Sequence, residues 1–273
     1  MELKTMKWML MALAVCLAGC GGSEDAPDEN RDGEKLEEIV RELCGGHAFV
    51  EYEMDSYSAL GVTYRAPVQR KAYVFKADGT GELTTFTFNN SDRGHIISDA
   101  GFTWRKDGNE GISIKEGTVG AYSVSGMKLT DTGVSFVGGE WEKEVAHPAK
   151  LKKEDVISYR LDNLKVWLST ITDEFGYTDP VLWATPAILT LKTKQGIVRL
   201  FNGVVPGGAR YDSDGTFYMA TSAWESAYDI FVGHDGKDFD GAGTNWDNWI
   251  KLAEVKDRKI VSCLEEGKEY KLE

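Results

Sequence analysis

The densest run of ligand-capable side chains lies between His234 and Trp249, in the segment HDGKDFDGAGTNWDNW. Asp235, Asp238, Asp240 and Asp247 are interleaved with Asn245, Asn248, Trp246 and Trp249, and three glycines permit tight turns. Two chemistries fit this composition. Calcium is a hard ion that takes roughly six to eight oxygens from carboxylates, amides and backbone carbonyls, and Asp238, Asp240 and Asp247 would supply the carboxylates. Setting Gly241 at the glycine position of an EF-hand loop places Gly236 at the first ligand position, so an EF-hand is excluded. The alternative is carbohydrate binding, with Trp246 or Trp249 stacking on a sugar face while Asn245 and Asp247 bond its hydroxyls. A third reading gives the segment no ligand and makes it a polar hairpin loop whose tryptophans tuck into the core.

Elsewhere the residues needed for catalysis lack the required spacing. There is no G-x-S-x-G elbow, H-E-x-x-H pair, Walker loop or G-x-G-x-x-G turn. His47, His95, His147 and His234 share no metal-ligand spacing, which argues against zinc. A carboxylate pair for glycoside hydrolysis leaves no signature in sequence, because its spacing is spatial. With 44 Asp and Glu residues, no catalytic pair is assigned. No cofactor is expected, calcium at Asp238, Asp240 and Asp247 being the one candidate. The aromatic runs Phe175–Trp183 and Trp224–Tyr228 read as turn and core packing.

The N-terminus is more specific. Lys4 and Lys7 precede an apolar stretch from Trp8 to Gly19, too short for a spanning helix but right for a secretory signal. It ends Leu17-Ala18-Gly19-Cys20, which resembles the lipobox of bacterial lipoproteins. That resemblance implies removal of residues 1–19, acylation of Cys20 and a membrane partner reached through the lipid. Cys16, preceded by bulky Val15, fits less well. Residues 20–33 are acidic and poor in apolar side chains, as in a disordered tether. Ser23-Glu24-Asp25 is similar to the acidic export tag of surface lipoproteins, which implies an outer-membrane protein on the cell surface.

The elements that must position any site are mostly strands. Asp32 can cap a helix carrying Leu36, Ile39, Val40 and Leu43 on one stripe, stopped by Gly45-Gly46. Period-two patterns then predict strands at Ala48–Met54, Lys71–Lys76, Glu82–Phe88, Gly101–Arg105, Gly111–Lys115, Ala121–Ser125 and Val134–Trp141. Residues 146–155 read as a linker, so 34–145 and 156–273 form two domains. In the second, Leu164–Ile171 is apolar on both faces, as in a central strand. Further strands are predicted at Ala187–Lys192, Ile197–Asn202, Thr216–Ala220, Ala227–Val232, Ile250–Val255, Lys259–Leu264 and Glu269–Leu272. Cys44 and Cys263 are the cysteines left to form a disulfide across the folded region.

The run Tyr73–Leu83, with Asp78-Gly79-Thr80-Gly81 at its turn, resembles the F-x-x-D-G-T-G hairpin of lipocalin-like domains in bacterial lipoproteins. Phe102-Thr103-Trp104, Ile112-Ser113-Ile114 and Gly120–Val124 follow in that family's order. Gly46-His47-Ala48 departs from its opening Gly-x-Trp. The expectation is an all-β chain: a short N-terminal helix, an antiparallel lipocalin-like barrel, then a β-sandwich-like domain. Its net charge of −13 and pI of 4.9 exclude a nucleic-acid partner. The expected function is capture of an extracellular glycan or small apolar molecule. A glycan-degrading enzyme and a structural or interaction lipoprotein are the alternatives.

Overall fold

The computed structural model describes residues 29–88, 95–118, 120–146, 153–201, 207–211, 214–223, 228–234 and 250–271. The fold is all-β, with one α-helix among the described residues, α1 (Glu29–Leu43). This helix starts earlier than expected, with Asp32 inside it rather than capping it, so 29–33 leave the tether. Acidic residues are favoured in that first turn by the helix dipole.

The first sheet runs through β1 (His47–Ala59), β2 (Val62–Phe75), β3 (Thr80–Phe88), β4 (His95–Asp107) and β5 (Gly111–Glu116). It continues with β6 (Tyr122–Val124), β7 (Lys128–Leu129), β8 (Gly133–Phe136) and β9 (Gly139–Val145). The spatial order is β6-β5-β4-β3-β2-β1-β9-β8-β7. Its two outer strands, β6 and β7, are joined by Ser125, Gly126 and Met127 alone. Such a short link obliges the sheet to curl until its edges nearly meet. Two backbone bonds stitch that seam, Met127 N to Glu110 O at 3.0 Å and Val137 N to Ser125 O at 2.9 Å.

The D-G-T-G turn shows why those residues are needed. Asp78 Oδ1 accepts from the Thr80 amide at 2.9 Å and from the Thr80 hydroxyl at 2.6 Å. Gly79 sits at φ +84°, and a Cβ on Gly81 would fall 2.1 Å from the Phe102 ring. The Trp104 indole donates to the Lys76 and Thr80 carbonyls, closing the turn.

The concave side of this sheet is full. Phe75 lies at its centre, with ring centroids of Phe102, Trp141, Trp104 and Phe49 at 5.1, 5.6, 5.8 and 6.2 Å. Ile39 and Leu43, one turn apart on α1, complete the same core. Ion pairs hold the helix down, Lys143 to Glu42 at 2.6 Å and Lys106 to Glu37. α1 thus plugs the half-barrel.

After a 3-10 turn at Lys153–Asp155 come β10 (Val156–Asp162), β11 (Val166–Thr172), β12 (Thr178–Ala184), β13 (Ile188–Thr193) and β14 (Gly196–Phe201). Next are β15 (Gly207–Arg210), β16 (Gly215–Ala223), β17 (Tyr228–His234), β18 (Ile250–Lys256), β19 (Lys259–Cys263) and β20 (Glu269–Tyr270). They form three antiparallel sheets: β14-β13-β10-β20, β11-β12-β15 and β17-β16-β18-β19. One core serves all three, with Leu161, Leu182, Leu189, Leu200, Phe217 and Leu252 fully enclosed.

Three expectations need correction. Val134–Trp141 is not one strand but the β8–β9 hairpin, turned at Val137-Gly138 with Gly138 at φ +96°. β11 is an edge strand, partly exposed along its length, despite its apolar pattern. Residues 55–70, given no strand above although Tyr57, Ala59, Tyr64 and Ala66 alternate with polar residues, build the far half of the β1–β2 hairpin.

If the ring cluster carries the half-barrel, Phe75→Ala should lower unfolding free energy by about 3–5 kcal/mol. Equilibrium urea denaturation measures this, and a loss below about 1 kcal/mol would mean the cluster packs loosely.

Candidate functional site

The two β units meet on β9. Strand alternation sends Trp141 and Lys143 toward the plugged core and Glu140, Glu142 and Glu144 the other way. Glu144 is 3% exposed. Its carboxylate accepts from Tyr52 OH at 2.8 Å, Arg70 Nη2 at 2.9 Å and Arg199 Nη1 at 3.0 Å. Tyr52 and Arg70 belong to β1 and β2, whereas Arg199 comes from β14. Arg199 Nη2 also pairs with Glu142 Oε2 at 2.9 Å.

The titration directions follow from this geometry. Burial alone would raise Glu144, but the Arg70 and Arg199 guanidiniums outweigh it and hold the carboxyl below its ordinary value. Glu142 goes the opposite way. Desolvation pushes it up, with Glu144 and Glu140 adding repulsion, and Arg199 offsets only part. Burial also raises the Tyr52 hydroxyl, keeping it a hydrogen-bond donor.

Beside this cluster the first sheet splits. β1 pairs with β9 only from His47↔Val145 to Val50↔Glu142. Beyond that point β1 continues with β2 alone, and Gly139–Trp141 continue with β8 alone. A cleft of about 750 Å³ opens in the gap. Its β1–β2 wall presents Tyr52, Glu53, Met54, Arg65, Gln69 and Lys71. The β8–β9 wall presents Phe136, Gly138, Gly139, Glu140 and Glu142, while Arg160, Asp162, Asn163, Ile188 and Arg199 form the floor. Lys165 Nζ donates to Thr63 O at 2.6 Å, propping the β1–β2 arm against the second unit.

The cleft lining combines the Phe136 side chain, which also packs against the filled core, with planar polar groups. The Phe136 ring is half-buried, 4.9 Å from the Trp141 ring, and lies over Gly139, where a Cβ would come within 3.0 Å of it. Gln69 is oriented by its amide nitrogen bonding Thr87 Oγ1 at 3.2 Å. Asn163 adds a second amide, and Glu53 and Glu140 add acceptors. An aromatic ring beside amides and carboxylates is a composition that can stack on and hydrogen-bond a polyhydroxylated ligand. Among the described residues that line it there is no Ser, Thr, Cys or His side chain. Among the described residues, no three His, Cys, Asp or Glu side chains form a metal-binding group.

Cys44 and Cys263 are free thiols, one half-buried at the end of the helix, the other on exposed β19, and no bridge joins them. Each packs within its own unit, where desolvation raises both thiols, the opposite of a reactive cysteine. Phe175 and Tyr177 are exposed at the β11–β12 tip. Trp183 instead stacks on Trp167 and donates to Ser169 Oγ at 2.9 Å. Cys20, Asp238, Asp240, Asn245, Trp246, Asp247 and Trp249 lie outside the described residues. Sequence reasoning missed Arg65, Phe136, Glu142, Glu144 and Arg199. The alternation Glu140-x-Glu142-x-Glu144 puts three acids on one strand face, which in sequence reads as a solvated face and gives no signal of burial. No protein family, curated protein or solved structure matches the chain.

Glu144→Gln should lower stability by about 3–5 kcal/mol at pH 7, since it leaves two buried guanidiniums undercompensated. The sign with pH follows from the shifts. A lowered carboxyl stabilises above its unfolded value near 4.5 and loses that contribution as pH falls through the folded value. The deficit should therefore shrink below pH 4. Glu142 is raised, so its burden is present at pH 7 and relieved as pH falls through its folded value. Glu142→Gln should raise the melting temperature at pH 7 and leave it unchanged at pH 4. Denaturation series at both pH values check each sign.

Proposed function

We propose that this protein is a lipoprotein, anchored to the outer membrane through an acylated Cys20, that captures a glycan on the cell surface without transforming it. The observation that carries the reading is the cleft between β1 and β9, where Phe136 lies over Gly139 beside Gln69, Asn163, Glu53 and Glu140. The filled half-barrel bears on ligand type. With Phe75 and its neighbours at the centre and α1 plugging the concave side, it offers no apolar chamber. This favours the glycan over the small apolar molecule, even though the curled antiparallel sheet fits a lipocalin-like fold. The filled interior also suits the interaction reading, with a partner protein on the acidic surface. The sugar reading at Trp246, Trp249, Asn245 and Asp247 and the calcium reading at Asp238, Asp240 and Asp247 concern residues outside the described ones.

Calorimetric titration with a panel of soluble oligosaccharides tests the proposal. At least one should bind, with Phe136→Ala and Gly139→Val each weakening it by about tenfold, the scale of a lost aromatic contact or a blocked one. If Trp246→Ala and Trp249→Ala abolish binding while the cleft variants bind normally, the site is the Asp/Trp loop. A stoichiometric partner protein, with no sugar bound, would establish the interaction reading instead.

A further inference from the structure

Most of the cations in the cleft lining are paired internally, whereas the acids Glu53 and Glu140 have no ion pair among the described residues. Arg199 is paired with Glu142 and Glu144, Arg160 Nε with Asp162 at 3.0 Å, and Lys71 with Glu51 at 3.8 Å. Arg65 is the exception. Its side chain is exposed in the cleft wall and has no ion pair among the described residues.

Its direction is set by a β-bulge. Glu53 pairs with Gln69 and Met54 with Pro67, so Val68 is an extra residue in β2. Pro67 lacks an amide hydrogen and is tolerated where the ladder is interrupted. In a regular strand Arg65 and Arg70, five positions apart, would face opposite ways. The inserted residue reverses that parity. Arg65 therefore shares with Arg70 and Tyr52 the face that looks toward the second unit. Bulges of this kind re-aim a side chain beside a site.

We infer that Arg65 recognises an anionic substituent of the ligand, so that the glycan taken by this cleft is a carboxylated, uronic-acid-containing oligosaccharide. This rests on the glycan reading above. The guanidinium fork matches a carboxylate through two parallel N–H···O bonds. Glu53 and Glu140, the acids of the cleft without an ion pair among the described residues, accept from sugar hydroxyls on the other sides of the ligand.

The experiment titrates the full chain with trigalacturonate, with galactotriose as the neutral counterpart, and with a sulfated galactan oligomer. Trigalacturonate should bind at least about tenfold tighter than galactotriose, as expected for a charge-assisted bidentate contact. Arg65→Ala should erase that preference without lowering the melting temperature. Arg65→Lys retains the charge but not the fork and should recover only part of it. Equal wild-type affinity for the charged and neutral sugars would overturn the inference, as would an undiminished preference in Arg65→Ala. Tighter binding of the sulfated oligomer would overturn the carboxylate assignment. If Gly139→Val binds all three sugars like wild type, the cleft reading itself falls.

Discussion

A carboxylate buried between two guanidiniums from separate β units is the constraint around which this molecule is arranged. Glu144 cannot stay charged in that position without Arg70 and Arg199, and neither arginine can be buried there without it. The three groups and the Tyr52 hydroxyl therefore fix β9, the β1–β2 hairpin and β14 relative to one another. Hydrophobic contact alone would tolerate sliding between the units. A charge cluster of this kind has one geometry in which every member is satisfied, so it specifies orientation more than it adds stability.

The cleft follows from that fixed orientation. β9 is committed by its acidic face to the second unit, whereas the β1–β2 hairpin continues outward to rest on Lys165. The two strands part after Val50 and Glu142, and the space between them has walls from both units. Meanwhile the interior of the curled sheet, the place a barrel fold would reserve for a ligand, is taken by Phe75, Trp141 and the helix. The open space of the first unit thus lies in the split in its wall rather than inside the curled sheet.

Much of the fold was legible in the sequence because it depends on local signals. The period-two pattern, the D-G-T-G turn and the Ile39–Leu43 stripe each encode their element within a few residues. The site was not legible, because it depends on pairings between Tyr52, Arg70, Glu144 and Arg199, which are far apart in the chain. Arg65 illustrates the difficulty further. Its facing direction depends on the single extra residue Val68, and a strand pattern read without that bulge points it the wrong way. The Val134–Trp141 error has the same character, since the Val137-Gly138 turn is recognisable only by a backbone angle that glycine permits.

Hydrogen–deuterium exchange with and without a bound oligosaccharide tests the central claim most directly, by locating the ligand without altering any residue. Slowed exchange is expected in residues 50–54, 138–142 and 160–163, the walls and floor of the cleft. Protection confined to residues outside those segments, with the cleft amides unchanged, would contradict it.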